Sequence, residues 1–197
     1  MISKKTKYGL IILLTVIVAG CAIFVYLDNT LKSTFVVHTD MQIYQEVFEI
    51  ENDSDVIATV RVTPNVTNYM EYDSDRFPLW YWTEREVVIT KSIKGEVMVG
   101  DTLTVIEPYA IGENKVIGKI EMTTEQYTNI TEDEEYIMFL MKREDGKFMI
   151  VGKDQGKLMV AGKDQGELMV KKSKERSTNL VDNEFEEFHQ KIRAKYE

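Results

Sequence analysis

A mostly β domain built around a small antiparallel barrel is the fold class that this 197-residue sequence predicts. Apolar and polar residues alternate in several short segments after residue 55, and Gly-Asp or Asp-Gly pairs separate these segments. Apolar residues also recur at helical spacing just before this region and again near the C-terminus. The prediction is therefore a β-barrel domain at 40–172, with a flanking helix before its first strand, an amphipathic C-terminal helix within 173–197, and an N-terminal transmembrane helix.

The N-terminal residues have the composition of a membrane-targeting segment. Residues 1–9 carry three lysines, and residues 10–27 are an uncharged, mostly apolar run of 18 residues. About 17 to 25 such residues suffice to cross a bilayer as a helix. Because basic flanks stay on the cytoplasmic side, the sequence predicts a single-pass protein of the cell membrane. A connector at 28–39 would then lead to an extracytoplasmic domain.

An alternative interpretation of the same segment involves the only cysteine of the chain. Val18-Ala19-Gly20-Cys21 resembles the bacterial lipobox, in which a small residue precedes a cysteine that is lipidated and becomes the new N-terminus. The chain would then be a lipoprotein attached through Cys21. The apolar run continues for six residues beyond Cys21, however, which favours a helix that is left uncut.

The charge of the exported part limits its partners. Without the three leading lysines the chain has 21 basic and 33 acidic side chains, which is a formal charge of −12. Nucleic acid and anionic lipid headgroups both attract the opposite sign of charge. The predicted partners are therefore the membrane, through the N-terminal helix, and an envelope protein or polymer. With no second cysteine, the domain must fold without disulfides.

The first half of the barrel domain alternates between helical and strand patterns. A long second strand follows the aromatic stretch 77–82 and ends near Gly95, and a third strand begins after Gly100. Asp40 is placed to cap the flanking helix. The apolar positions behind these predictions are Met41, Tyr44, Val47 and Phe48 for the helix, Val56, Ala58, Val60 and Val62 for the first strand, and Leu103 and Val105 for the third.

The second half contains a central strand and a repeat. Residues 110–131 predict only a strand near 117–122, whereas the apolar run at 135–141 predicts a central strand that is covered on both faces. Residues 146–170 then repeat with a period of ten, marked by Gly146, Gly156 and Gly166. An even period places equivalent side chains on the same face of successive strands, so these repeats predict a β-meander extension.

The C-terminal segment predicts an amphipathic helix. Its apolar residues fall at spacings of four, three and four, which gives one continuous stripe. Packing of this stripe on the barrel is the favoured interpretation, and a groove on a partner protein is the alternative. The stripe consists of Val181, Phe185, Phe188 and Ile192.

An aromatic cluster is the most distinctive candidate for a binding site. Phe77, Trp80, Tyr81 and Trp82 lie within six residues, and large aromatic side chains often anchor ligands. On a strand Trp80 and Trp82 share one face and Tyr81 takes the other. The alternative interpretation is that at least one of these faces belongs to the core.

The sequence offers no catalytic constellation. Its two histidines, His38 and His189, lie in the connector and in the C-terminal helix, and neither has a plausible companion in the sequence. The Gly-Lys-Asp-Gln-Gly turns lack the spacing of a phosphate loop, and the alternating carboxylates at 71–75 lack the spacing of an EF-hand. A non-catalytic protein without metal or cofactor is therefore expected.

The order of these elements resembles that of a known family. The segments Asp55-Val56-Ile57, Lys94-Gly95, Gly100-Asp101-Thr102 and the run from Glu135 to Leu140 resemble a family of exported Gram-positive bacterial proteins of unassigned role. Their domain is similar to the OB-type barrel of netrin modules and tissue inhibitors of metalloproteinases. The resemblance implies an OB-like fold and, as an alternative function, inhibition of an envelope protease. It implies no site residue, because those inhibitors use a free N-terminal cysteine and disulfides, which this chain lacks.

Overall fold

The computed structural model describes residues 4–30, 32–40, 42–114, 117–160 and 180–196. Strands account for 45% of it, so the predicted mostly β class is confirmed. In chain order the elements are α1 (Lys4–Thr30), β1 (Lys32–Val37), α2 (Val47–Asn52), β2 (Val56–Tyr72), β3 (Pro78–Lys94), β4 (Thr102–Glu107), β5 (Tyr109–Glu113), β6 (Lys119–Thr124), β7 (Glu135–Lys142), β8 (Phe148–Ile150), a 3-10 helix (Lys153–Gly156), β9 (Lys157–Met159) and α3 (Leu180–Tyr196).

Helix α1 contains the apolar run that the sequence predicts to cross the membrane. Its segment Ile12–Thr30 has a mean hydropathy of 2.1, and none of that segment is buried against the rest of the described chain. Apolar side chains without a protein surface to cover them are typical of a secretion signal or a single-pass anchor. Cys21 is exposed in the middle of this helix.

Six strands form a ring-like sheet around the main core. Their order is β2-β3-β4-β8-β7-β9, and a further pairing of β7 with β2 closes the ring. The pairing of β4 with β8 is parallel, so the ring is not entirely antiparallel as predicted. Its interior is filled by side chains from every second position of the strands, among them Val56, Ala58, Val60, Val62, Val87, Ile89, Val105, Met138 and Leu140.

Strand β7 separates two apolar layers, as the sequence predicted for a central strand. Met138 and Leu140 face the interior of the ring, whereas Ile137 and Phe139 face outward. Helices α2 and α3 cover the outward face with Ile50, Phe188 and Ile192. The amphipathic C-terminal helix therefore packs on the domain itself, which was the favoured interpretation of its stripe.

A second sheet of three strands lies next to α1. Its order is β1-β6-β5, with β1 parallel to β6 and β5 antiparallel to β6. Strand β1 lies in the segment that the sequence predicts as a connector, and the sequence does not predict β5. Strand β1 is exposed along almost its whole length, and β5 has only five residues, so neither shows the alternation of a half-buried strand.

The helix before the first ring strand begins later than predicted. It starts at Val47 rather than after Asp40, because Glu46 and Glu49 form a capping box there. Tyr44 is held outside the helix by Gln155, whose side-chain oxygen accepts from the Tyr44 N–H at 2.9 Å and whose amide donates to the Tyr44 carbonyl at 3.0 Å. These two bonds fix the chain before α2 in a non-helical conformation.

The two ten-residue repeats within the described residues do not form the predicted meander. Strands β8 and β9 both pair antiparallel with β7 and lie one after the other along it, so they form one interrupted strand. The 3-10 helix between them is a loop that leaves the sheet and returns to it. A Cβ atom at Gly156 would clash with the Val151 carbonyl oxygen, which shows how tightly the loop closes. The third copy, at 161–170, lies outside the described residues.

Candidate functional site

The β2–β3 hairpin extends beyond the ring as an arm. The register between the two strands shifts between Val62 and Val66, at the position of Pro64, which cannot donate to a β ladder. At this bulge Glu86 accepts from Thr63 and Asn65 at 3.0 and 2.9 Å. Strand β7 pairs with β2 only before the bulge. Strand β4 pairs with β3 only from Val88 to Thr83, so residues 69–82 form a separate two-stranded segment, here called the hairpin arm.

One face of the hairpin arm is aromatic. Tyr69 lies opposite Trp82, and their rings stack with centroids 4.8 Å apart and an interplanar angle of 10°. Trp80 lies on the same face, opposite Glu71, and is 67% exposed. We call Tyr69, Trp80 and Trp82 the aromatic face. Tyr69 is 37% exposed and Trp82 is half-buried, and none of the three belongs to either apolar core cluster, so this face is accessible from solvent mainly at Trp80.

The other face of the arm packs against the three-stranded sheet. The hydroxyl groups of Tyr81 and Thr124 lie 3.0 Å apart, and the Tyr72 hydroxyl donates to the Glu113 carbonyl at 3.2 Å. Gly112 makes this approach feasible, because a Cβ there would clash with Tyr72 and Met70. The structure thus separates Tyr81 from Trp80 and Trp82, as a strand requires, and directs Tyr81 toward protein.

The turn of the arm is held by Asp73. Its side chain accepts from the backbone N–H of Asp75 at 2.9 Å and of Phe77 at 2.7 Å. Arg76 adopts a left-handed backbone conformation with φ of 61°. Phe77 emerges from this turn 58% exposed, and it is followed by Leu79, which is also exposed. No group of three or more His, Cys, Asp or Glu side chains is positioned to hold a metal in the described part of the chain.

A buried polar network lies where the arm joins the ring. Glu107 is fully buried and accepts from Arg85 at 2.6 Å, and from the Tyr127 hydroxyl and the Ile130 N–H at 2.9 Å each. Burial next to Glu107 raises the pKa of the Tyr127 phenol well above its usual range. The Lys157 ammonium lies 3.7 Å from the centre of the Tyr127 ring.

This network braces the fold, because its charged groups are shielded from solvent. Lys157 also pairs with Asp154, and desolvation lowers the pKa of its ammonium. The Asp154 carboxylate accepts from the Thr128 N–H at 2.9 Å. The network therefore ties the loop between β6 and β7 to the ring. Sequence reasoning missed it, because its members are far apart in the chain.

The two histidines occupy separate places. His38 lies exposed beyond β1, with its Nδ1 2.7 Å from a carboxylate oxygen of Glu125. His189 is on α3, with its Nε2 2.9 Å from the Asp154 carbonyl oxygen, and burial lowers the pKa of its imidazole. Each ring is thus engaged in a contact that joins two segments of the chain.

Sequence reasoning also missed Tyr69. The strand prediction ended before Pro64, although Val66, Thr67, Tyr69 and Tyr72 are residue types that favour strands. Pairing of this stretch with 78–85 would have placed Tyr69 opposite Trp82.

No family model, curated protein or solved structure matches this chain. The resemblance to netrin-type modules therefore stays an expectation from the sequence. What is known of the hairpin arm comes from its own residues and contacts.

Proposed function

We propose that this protein is a non-catalytic binding module, held on the outer side of the cell membrane by α1 and built on an OB-like barrel. The exposed apolar surface of α1 supports the membrane anchor, and the ring-like sheet with its filled interior supports the small barrel. The acidic charge of the exported part supports a location away from nucleic acid.

The aromatic face is the observation that carries the binding function. Exposed tryptophan on a rigid strand offers a wide contact surface at a small loss of side-chain entropy. Trp82 is held in place by stacking on Tyr69, and its indole N–H lies 3.3 Å from a carboxylate oxygen of Glu84. A preorganised aromatic pair of this kind is typical of a binding surface.

The edge of β3 favours an extended peptide as the ligand. Strand β4 pairs with β3 from Val88 only as far as Thr83. Beyond it, at Pro78–Trp82, no strand of the described residues pairs with this edge. A free edge next to large side chains is the arrangement that accepts an added peptide strand. An envelope polymer is the other ligand that the experiment below distinguishes.

Site-specific photocrosslinking in intact cells tests this function. A photoreactive phenylalanine derivative at position 82 should form an adduct with the ligand, and mass spectrometry of the adduct identifies a peptide or a polymer. The matched control places the same group at Met98, which is 72% exposed on the turn between β3 and β4. In addition, Trp82→Ala should fold normally but weaken binding of the identified ligand about 30-fold, as expected for a central aromatic contact.

Two results would contradict the proposal. Equal adducts from positions 82 and 98 would show that the aromatic face captures nothing specific. A Trp82→Ala chain that fails to fold would show that the aromatic pair is structural. An adduct with a protease would support the inhibitor function that the family resemblance implies.

A further inference from the structure

We propose that the tip of the hairpin arm rests in the headgroup layer of the same membrane that α1 crosses. The arm tip is defined as Phe77, Leu79 and Trp80. This inference rests on the proposed membrane anchor, and it adds a second, lipid-facing contact to the module. The partner is the neutral interfacial region of a phospholipid bilayer.

The end of α1 fixes the level of the membrane surface relative to the three-stranded sheet. The Asp28 carboxylate, in the last turn of α1, accepts from the Gly118 N–H at 2.9 Å. Two residues after α1 ends, Lys32 begins β1 and lies opposite Lys119, the first residue of β6. The start of this sheet therefore lies at the end of the membrane helix.

The arm points toward that level. Strands β1 and β6 run parallel and away from α1, so the antiparallel β5 ends at Glu113, opposite Lys119 and close to the membrane. Strand β2 follows β5: the Asn68 side chain accepts from the Ile111 N–H at 3.0 Å, and further along Tyr72 donates to the Glu113 carbonyl.

These contacts bring the turn of the arm to the membrane surface. Tyr72 contacts Glu113, which pairs with Lys119 beside the end of α1, so Tyr72 is about level with the end of α1 and the turn at 73–77 lies beyond it. The arm tip is the part of the exported domain that this geometry brings to the lipid.

The composition of the arm tip suits an interface rather than water. Phe77, Leu79 and Trp80 are 58%, 57% and 67% exposed, although each is a large apolar side chain. Tryptophan and other aromatic residues concentrate at the boundary between headgroups and acyl chains. Three such side chains at the end of a rigid hairpin form a small wedge for that boundary.

The charges of the tip favour neutral lipid. Residues 71–76, next to the arm tip, carry one basic side chain, Arg76, and three acidic ones, Glu71, Asp73 and Asp75. They therefore form no basic cluster that would attract anionic headgroups. The Asp73 carboxylate is satisfied by the backbone of its own turn. Contact through apolar side chains is therefore the mode that these residues support. It would hold Trp82 and Tyr69 just above the headgroups, facing ligands close to the membrane.

Tryptophan fluorescence tests this contact directly, because Trp80 and Trp82 are the only tryptophans of the chain. The full chain is reconstituted in phosphatidylcholine vesicles that contain lipid labelled with a shallow quencher. Trp82→Phe leaves Trp80 as the reporter, and Trp80→Phe leaves Trp82 as the matched control. We expect Trp80 to show a blue-shifted emission, strong quenching by the labelled lipid and weak quenching by aqueous acrylamide. Trp82 should show the weaker lipid quenching.

A second variant separates lipid contact from simple shielding. Phe77→Ser with Leu79→Ser in the Trp82→Phe background removes the wedge but keeps α1, so Trp80 emission should shift toward that of tryptophan in water. Retention of the chain on vesicle flotation with Trp80 unquenched by lipid would overturn the tip contact alone. The same holds if Trp80 is shielded from both quenchers, because protein would then cover it. Loss of the chain from floated vesicles would overturn the proposed anchor and the tip contact together.

Discussion

At the scale of single residues, the most constrained group is the carboxylate of Glu107. Its two oxygens accept from one guanidinium, one phenol and one backbone N–H, and all of these lie inside the domain. Removing water from a carboxylate and a guanidinium is costly, and the cost is offset only while both partners are present and fully hydrogen-bonded. Such a pair fixes the position of β3 relative to β4 where the arm meets the ring.

We expect Glu107→Gln to destabilise the domain by about 3–5 kcal/mol, because Arg85 would keep its charge in the interior without a counter-charge. Urea unfolding of the full chain in detergent, followed by far-UV circular dichroism, measures this change. Glu71→Gln is the control, since Glu71 is exposed on the arm opposite Trp80, and it should change stability by no more than about 0.5 kcal/mol. Equal unfolding midpoints for the two variants would contradict a bracing role for Glu107.

At the scale of elements, the pattern of apolar residues predicts most of the ring strands. It does not predict the structure of segments whose conformation depends on a contact with another element. The first part of β2, the long strand β3, the third strand β4 and the central β7 are confirmed, because each buries a set of apolar residues that the sequence shows. The start of α2 depends on Gln155, more than 100 residues away along the chain. The aromatic cluster is evident from the sequence, whereas its partner Tyr69 depends on a hairpin register that a bulge alters.

The repeat shows why equivalent positions of a repeated sequence need not have equivalent structures. Gly146 and Gly156 are equivalent positions of the ten-residue period. Gly146 lies in an open turn with φ of 80°, and a Cβ atom added there would have no other atom within 4 Å, whereas Gly156 lies against the Val151 carbonyl. The first copy thus closes a hairpin, and the second closes the loop that interrupts the β8–β9 edge.

We therefore expect alanine to have different effects at these two glycines. Gly156→Ala should destabilise the domain by about 3 kcal/mol, because the backbone of Val151 must move away. Gly146→Ala should cost about 1 kcal/mol, which reflects only the left-handed backbone conformation. Thermal unfolding of the full chain in detergent compares the two. Equal shifts in melting temperature would contradict the tight packing of Gly156 against the Val151 carbonyl.

At the scale of the whole molecule, β7 divides the domain into an inner and an outer layer. The inner layer is the ring core, and the outer layer is formed by α2 and α3 on the outward face of β7. Contacts between α3 and the rest include His189 with the Asp154 carbonyl and Lys195 with the Glu51 carboxylate. The arm and α1 lie outside both layers, so changes there should leave the cores intact.

This arrangement predicts that the outer layer can open while the ring stays folded. Phe188→Ala removes an almost fully buried ring from the outer layer, and such a truncation costs about 3–5 kcal/mol of packing. Because α3 is the last element, we expect it to undock locally, so that hydrogen exchange accelerates in α3 and α2 but not in β2, β3 and β7. Leu140→Ala, in the ring core, is the matched control. It should lower the free energy of unfolding by about 2–5 kcal/mol and therefore accelerate exchange in all the ring strands. If Phe188→Ala accelerated the ring strands equally, the two layers would form a single cooperative unit.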